Sequence, residues 1–190
     1  LFLLNLPIAN AKCKFITDIG KKFTKSHEKE YGALPENENA YNELEIVASE
    51  FCPNDNFDDN FLIRYTFIDK TLAAIQLFAD NSIDNSATES MKLMKYAKRT
   101  YGDFDTGGNP EFYNNFNIWE KVQKYIVYNR RLIGNFWEEE IYISSDKYYE
   151  QLVQYENEQE SIEPLENENK NEKNKINFYS NIIIFFNNYF

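Results

Sequence analysis

Residues 59–78 read Asp59-Asn60-Phe61-Leu62-Ile63-Arg64-Tyr65-Thr66-Phe67-Ile68-Asp69-Lys70-Thr71-Leu72-Ala73-Ala74-Ile75-Gln76-Leu77-Phe78. Phe61, Tyr65, Ile68, Leu72 and Ile75 fall at i, i+4, i+7, i+11 and i+14, the stripe of an amphipathic helix. Asp59 stands where a carboxylate caps the first turn. The spacing predicts a helix from Asp59 to about Phe78. Cys52-Pro53-Asn54-Asp55-Asn56 ends whatever precedes it, and Asp80 to Asn85 makes a turn after it. Ser86-Ala87-Thr88-Glu89 is a capping box. It opens a further helix carrying Met91, Met94, Ala97 and Tyr101.

The same periodicity extends outward. Phe15, Ile19 and Phe23 predict a first helix over 12–31, and Leu44 and Val47 a short second one over 40–51. Asn109-Pro110 starts another, with Phe112, Phe116, Trp119, Val122 and Ile126 as its stripe and Ile133 and Trp137 continuing it. Gly134 ends or kinks it, and Asp146 begins a last helix with Tyr149, Leu152 and Val153 inward. Gly and Pro number only 6 and 5 in 190 residues, too few turn residues for a many-stranded sandwich. The expected fold class is therefore all-α, an irregular bundle of about five to six helices. The helical domain covers 12–155. An acidic, Asn-rich stretch over 156–175 has too little apolar area to order itself and is expected to be disordered. Residues 176–190 are apolar again but too short to span a bilayer alone.

The chain opens LFLLNLPIANAKC, an apolar run closing on Ala9-Asn10-Ala11. That pattern reads as a signal-peptide remnant over 1–11 and predicts a secreted, extracellular protein; a buried first element is the other reading. Two cysteines, Cys13 and Cys52, are then most simply one disulfide, with two free thiols as the alternative. The net charge of −11 excludes nucleic acid and anionic membrane surfaces as partners, since both need clustered Lys and Arg. His27 sits in the polar run KSHEKE, and no cysteine pair has ligand spacing, so neither metal nor cofactor is expected. Asp55, Asp58, Asp59 and Glu138-Glu139-Glu140 lack the alternating pattern of a calcium loop and read as solvated faces. Arg130-Arg131 reads as an exposed pair at a helix end.

Between Cys52 and Trp137 the chain resembles the secreted all-helical chorismate mutases of bacteria and plant-parasitic nematodes. Arg64 sits at the Arg of their long helix, and Leu72-Ala73-Ala74-Ile75-Gln76 where their Lys-containing run belongs. Ile83-Asp84-Asn85-Ser86-Ala87-Thr88-Glu89 sits on their turn motif, and Glu120 near a later Gln or Glu. Gln76 and Thr88 replace a family Lys and Arg. The resemblance implies an isomerase that rearranges chorismate to prephenate by conformational capture and electrostatic stabilisation. Arg64 would bind a substrate carboxylate, Gln76 would donate to the ether oxygen or carboxylate, Glu89 would accept the ring hydroxyl, and protonated Glu120 would reach the ether oxygen. It also leaves room for a homodimer with exchanged helices.

Two other readings stand beside it. One is a non-catalytic secreted effector or binding module that engages a protein partner through Phe112, Tyr113, Phe116, Trp119, Phe136 and Trp137. The other is a carrier of a small apolar ligand held between helices.

Overall fold

The computed structural model describes residues 12–35, 40–52, 55, 57, 60–79, 91–107, 115–133 and 136–162. The leader-like run, the Asp59 cap, the Ser86–Glu89 box, Asp58, Phe112, Tyr113, Gly134 and the segment 176–190 lie outside them.

The stretch 59–78 is a β-hairpin, not a helix. Strand β2 (Phe61–Ile68) and strand β3 (Thr71–Ala79) pair antiparallel around Asp69-Lys70. Phe61 and Tyr65 share a face in a strand as they do in a helix, so they cannot discriminate. Ile63 and Phe67 can: a helix would turn them away from that face, yet both are fully buried beside Phe61 and Tyr65. β-branched and aromatic residues add to the preference. Asp69 and Lys70 take φ of 48° and 59°, the mirror-image turn whose twist suits a hairpin. Asp-Lys carries no glycine, which is why the turn is hard to see in the sequence.

The other elements follow in order: helix α1 (Lys25–Tyr31), strand β1 (Tyr41–Val47), a 3-10 turn (Ala48–Glu50), β2, β3, helix α2 (Lys92–Tyr101), and strands β4 (Thr106–Gly107), β5 (Asn115–Lys121), β6 (Lys124–Ile133) and β7 (Phe136–Ser144), closed by helix α3 (Asp146–Ile162). The strands form one sheet in the order β1-β2-β3-β7-β6-β5-β4, and each neighbouring pair is antiparallel. This overturns the all-α expectation. The described residues of the helix expected over 110–137 form strands: Val122, on its expected apolar stripe, is 91% exposed at the turn between β5 and β6. The helix expected over 40–51 is β1, and only Lys25–Tyr31 of the first is helical. The stripe of Met94 and Ala97 does hold, on α2, and Asp146 does open α3 with Leu152 buried.

Two three-stranded meanders, β1-β2-β3 and β5-β6-β7, meet at β3 and β7. The join is four residues long, Ile75 to Phe78 against Ile143 to Glu140. One face packs Phe61, Ile63, Tyr65, Phe67, Trp119, Ile126 and Tyr128 against the N-terminal segment and α2. On the other face α3 sets Tyr148 and Leu152 on Ile68, Ala73, Ala74, Ile118, Tyr125, Val127 and Tyr142. Ala73 and Ala74 leave room for the helix. A register shift falls here between Thr66 and Phe67, and Ser144 Oγ donates to the Ala73 carbonyl at 2.7 Å. Tyr155 stacks on Tyr41 at 4.3 Å, so α3 crosses to the β1 edge.

Cys13 and Cys52 are joined, both buried, 39 residues apart. The bridge ties the N-terminal segment to the turn after β1, beside a backbone bond from Lys14 N–H to the Phe51 carbonyl at 2.8 Å. Closing that loop in the unfolded chain is worth about 4 kcal/mol on the chain-entropy account. Cys13→Ser with Cys52→Ser should lower the denaturation free energy by about that amount, read from urea midpoints with and without reductant. An unchanged midpoint on reduction would show that the bridge adds nothing.

Candidate functional site

Period-two alternation decides which face each polar residue meets. On β2, Arg64 lies opposite the Ile63 and Tyr65 face. On β3, Gln76 is its direct cross-strand partner. Arg64 Nη1 donates to Gln76 Oε1 at 3.2 Å, and Gln76 Nε2 donates to Glu140 Oε2 of β7 at 2.6 Å. Asn129 Nδ2 of β6 donates to Glu140 Oε1 at 3.1 Å. At the other end Arg64 Nε donates to Glu45 of β1 at 2.7 Å and lies 3.7 Å from Glu43. A row of side-chain hydrogen bonds thus crosses five strands: Glu45, Arg64, Gln76, Glu140, Asn129.

The row is graded. Arg64, Glu43 and Glu45 are a third or more exposed, whereas Glu140 and Asn129 are buried. Arg64 also lies over the Phe78 ring at 5.0 Å. Arg131 closes a flank by pairing with Glu138 at 2.6 Å. Burial pushes the Glu140 carboxyl above its usual range, against the amide bonds from Gln76 and Asn129 that lower it. Burial likewise raises Glu43, with Arg64 opposing.

Of the residues singled out in the sequence, Arg64 and Gln76 come together and Glu120 does not. Glu120 is exposed on β5, its backbone N–H bonded to Asp105 at 2.7 Å. Three strand spacings, about 14 Å, separate β5 from β3. Glu89 lies outside the described residues. The chorismate-mutase resemblance fails because its residues were placed by helical spacing, and the sheet puts them at different spacings. The aromatic surface is not supported either: Phe116 is 38% exposed, but Phe112, Tyr113 and the Phe136 side chain lie outside the described parts of the structure. Trp119 is fully buried with its Nε1–H on the Gly102 carbonyl at 2.9 Å, and Trp137 lies beneath Arg130 at 3.6 Å. The carrier reading required a pocket between bundled helices, and the described helices lie on a sheet instead.

The triplet Glu138-Glu139-Glu140 is the largest correction at side-chain level. It is not a solvated face, for Glu139 and Glu140 are buried on opposite sides of the sheet. Glu139 Oε1 accepts from Met94 N–H at 3.1 Å and from Tyr128 O–H at 2.9 Å. Met94 is in the first turn of α2, so this carboxylate caps a helix from a neighbouring strand. The sequence signal was available: Glu139, Ile141 and Ile143 share a parity, which places Glu139 among core positions. Arg130 is likewise buried, not exposed at a helix end. Among the described residues no group of His, Cys, Asp and Glu could hold a metal ion.

No protein-family model, no curated protein and no solved structure matches this chain.

Burial raises the Glu139 carboxyl from 4.5 to about 7, although the bonds from Met94 and Tyr128 and the nearby Arg130 all pull it down. Between those two values the folded chain holds a proton that the unfolded chain has released. The associated stability is therefore fully present below about pH 4.5 and is lost as pH rises through about 7, a fall of about 3 kcal/mol. Urea midpoints measured across that window should decline for the native chain, and Glu139→Gln should flatten the decline. Equal slopes for the two proteins would remove Glu139 as its source.

Proposed function

We propose that this chain is an exported protein whose polar row binds a neutral polyhydroxylated ligand, a saccharide. The observation that carries the reading is the unbroken alternation of donors and acceptors from Glu45 to Asn129. A sugar hydroxyl both donates and accepts, so a line of carboxylate, guanidinium and carboxamide groups suits successive hydroxyls. Leu62, half-buried beside the row, offers apolar surface to the C–H face of a sugar ring. The guanidinium groups argue against an anionic ligand. Arg64 is paired with Glu43 and Glu45 and Arg131 with Glu138, and the whole chain carries −11. A carboxylate or phosphate would have to displace those partners against the long-range field.

The buried Cys13–Cys52 bridge supports export, because such bridges persist in oxidising compartments. No helix among the described residues is long and apolar enough to cross a membrane. Fractionation of the producing cells should find the oxidised chain outside them. Retention of a reduced chain in the cytosol would contradict export.

Titration calorimetry with neutral oligosaccharides should show saturable binding that acidic oligosaccharides do not match. Gln76→Ala, which cuts the row in the middle, should weaken it about tenfold or more, equivalent to about 1.4 kcal/mol. Binding that is indifferent to Gln76→Ala in a protein that still melts cooperatively would place the ligand elsewhere. The absence of any neutral saccharide ligand would end the reading.

A further inference from the structure

We infer that the outer edge of β1 is a docking site for an extended polypeptide segment with alternating basic and apolar side chains, added as a further strand. β1 lies at the end of the sheet, and among the described residues no strand pairs with its outer side. Its register with β2 runs unshifted from Tyr41 to Val47. Exposed edges are ordinarily blunted by charged side chains, Pro, a bulge or extreme shortness. The sequence YNELEIV and its regular ladder carry only the carboxylates of Glu43 and Glu45, which turn away like-charged strands and admit a basic one. The opposite edge contrasts with it. There β4 is two residues long, and Gly107, at φ 131°, lies so close to β5 that a Cβ would fall 2.3 Å from the Phe116 carbonyl oxygen.

The side chains of β1 specify the occupant. Glu43 and Glu45 project exposed carboxylates on one face; the two share Arg64 and so keep a net negative charge there, while Leu44 and Ile46, half-buried, extend the larger core cluster on the other. An incoming strand therefore meets charge at every second position and apolar surface between. A second copy of the chain is the wrong partner. Antiparallel pairing centred on Leu44 would set Glu43 against Glu45 of the other copy twice, and like charges directly opposite destabilise a ladder. A segment with Lys or Arg at those positions gains what the second copy loses, and the net charge of −11 steers it in. Backbone bonds would supply affinity and the alternating side chains selectivity.

The test uses the full chain and two labelled peptides of equal length, one alternating Lys with Val and the other Glu with Val. Fluorescence anisotropy should show the Lys peptide binding about tenfold or more tightly than the Glu peptide, with the difference shrinking as salt is added. Amide hydrogen exchange should slow over Asn42–Val47 on binding. Glu43→Gln with Glu45→Gln keeps the strand and removes the charge. This variant should bind the two peptides alike, while its melting curve shows that it is folded. Equal affinities for the native chain, protection gained away from β1, a preference that survives the double substitution, or self-pairing of the native chain through β1 would each overturn the proposal.

Discussion

The short ladder between β3 and β7 is the constraint on which the rest of the structure depends. Four residues on each strand join two meanders that are otherwise separate hairpin stacks. So short a join needs help from side chains, and it has help on both faces. On the polar face Gln76 of β3 donates to Glu140 of β7, and at the end of the ladder Ser144 donates to the Ala73 carbonyl. On the apolar face Leu77 and Ile75 meet Ile141 and Ile143 in one core cluster. The polar row is thus also a clip across the seam. Any ligand seated on Gln76 and Glu140 would sit where the two halves of the sheet are held together, so binding should stiffen the seam.

That arrangement carries a cost. Glu139, Glu140, Asn129 and Arg130 are all buried, and burying a polar group is costly unless its hydrogen bonds are made. Apolar side chains at the row would have closed the seam more cheaply. Retaining a guanidinium, two carboxamides and two carboxylates there fits a surface that has something to recognise. The Glu139 cap has a different logic. α2 begins after Met91 in a left-handed conformation, which leaves first-turn amides to be satisfied from outside the helix. Glu139 supplies the acceptor, and mild acidity eases the burial of its charge.

Parts of this were legible in the sequence for sound physical reasons. A helix such as α2 shows itself because Met94 and Ala97 lie one turn apart on a single buried face, and Leu93 and Tyr96 beside them widen the same stripe. Cys13 and Cys52 had no other partners. The strands were not legible by the same means. In β2, aromatic and aliphatic residues occupy six of the eight positions, and Arg64 and Thr66 take the other two, so a helical template finds matches wherever it is laid. The turns at Asp69-Lys70 and Val122-Gln123 lack the glycine that usually betrays a hairpin, and positive φ falls on Asp69, Lys70 and Gln123 instead. Arg64 and Gln76 were singled out as members of one helix, where twelve residues would set them about 18 Å apart along the axis. The hairpin makes them direct partners. Their adjacency belongs to the sheet, and the catalytic roles implied for them went with the helix.

The triplet at 138–140 shows how far period two governs the chemistry of this chain. Three identical side chains occupy three consecutive positions of one strand, yet no two have the same surroundings. Glu138 stays at the rim and pairs with Arg131 across the ladder. Glu139 points through the sheet to the helix amides of α2, and Glu140 points back to the carboxamides of the row. Sliding β7 by one residue against its neighbours would exchange the last two. It would set a carboxylate against Gln76 and Asn129 only by stripping the cap from α2 and turning Ile141 and Ile143 out of the core. Register is therefore fixed by polar and apolar requirements together. The row and the helix cap stand or fall as one, because both are read from the same strand.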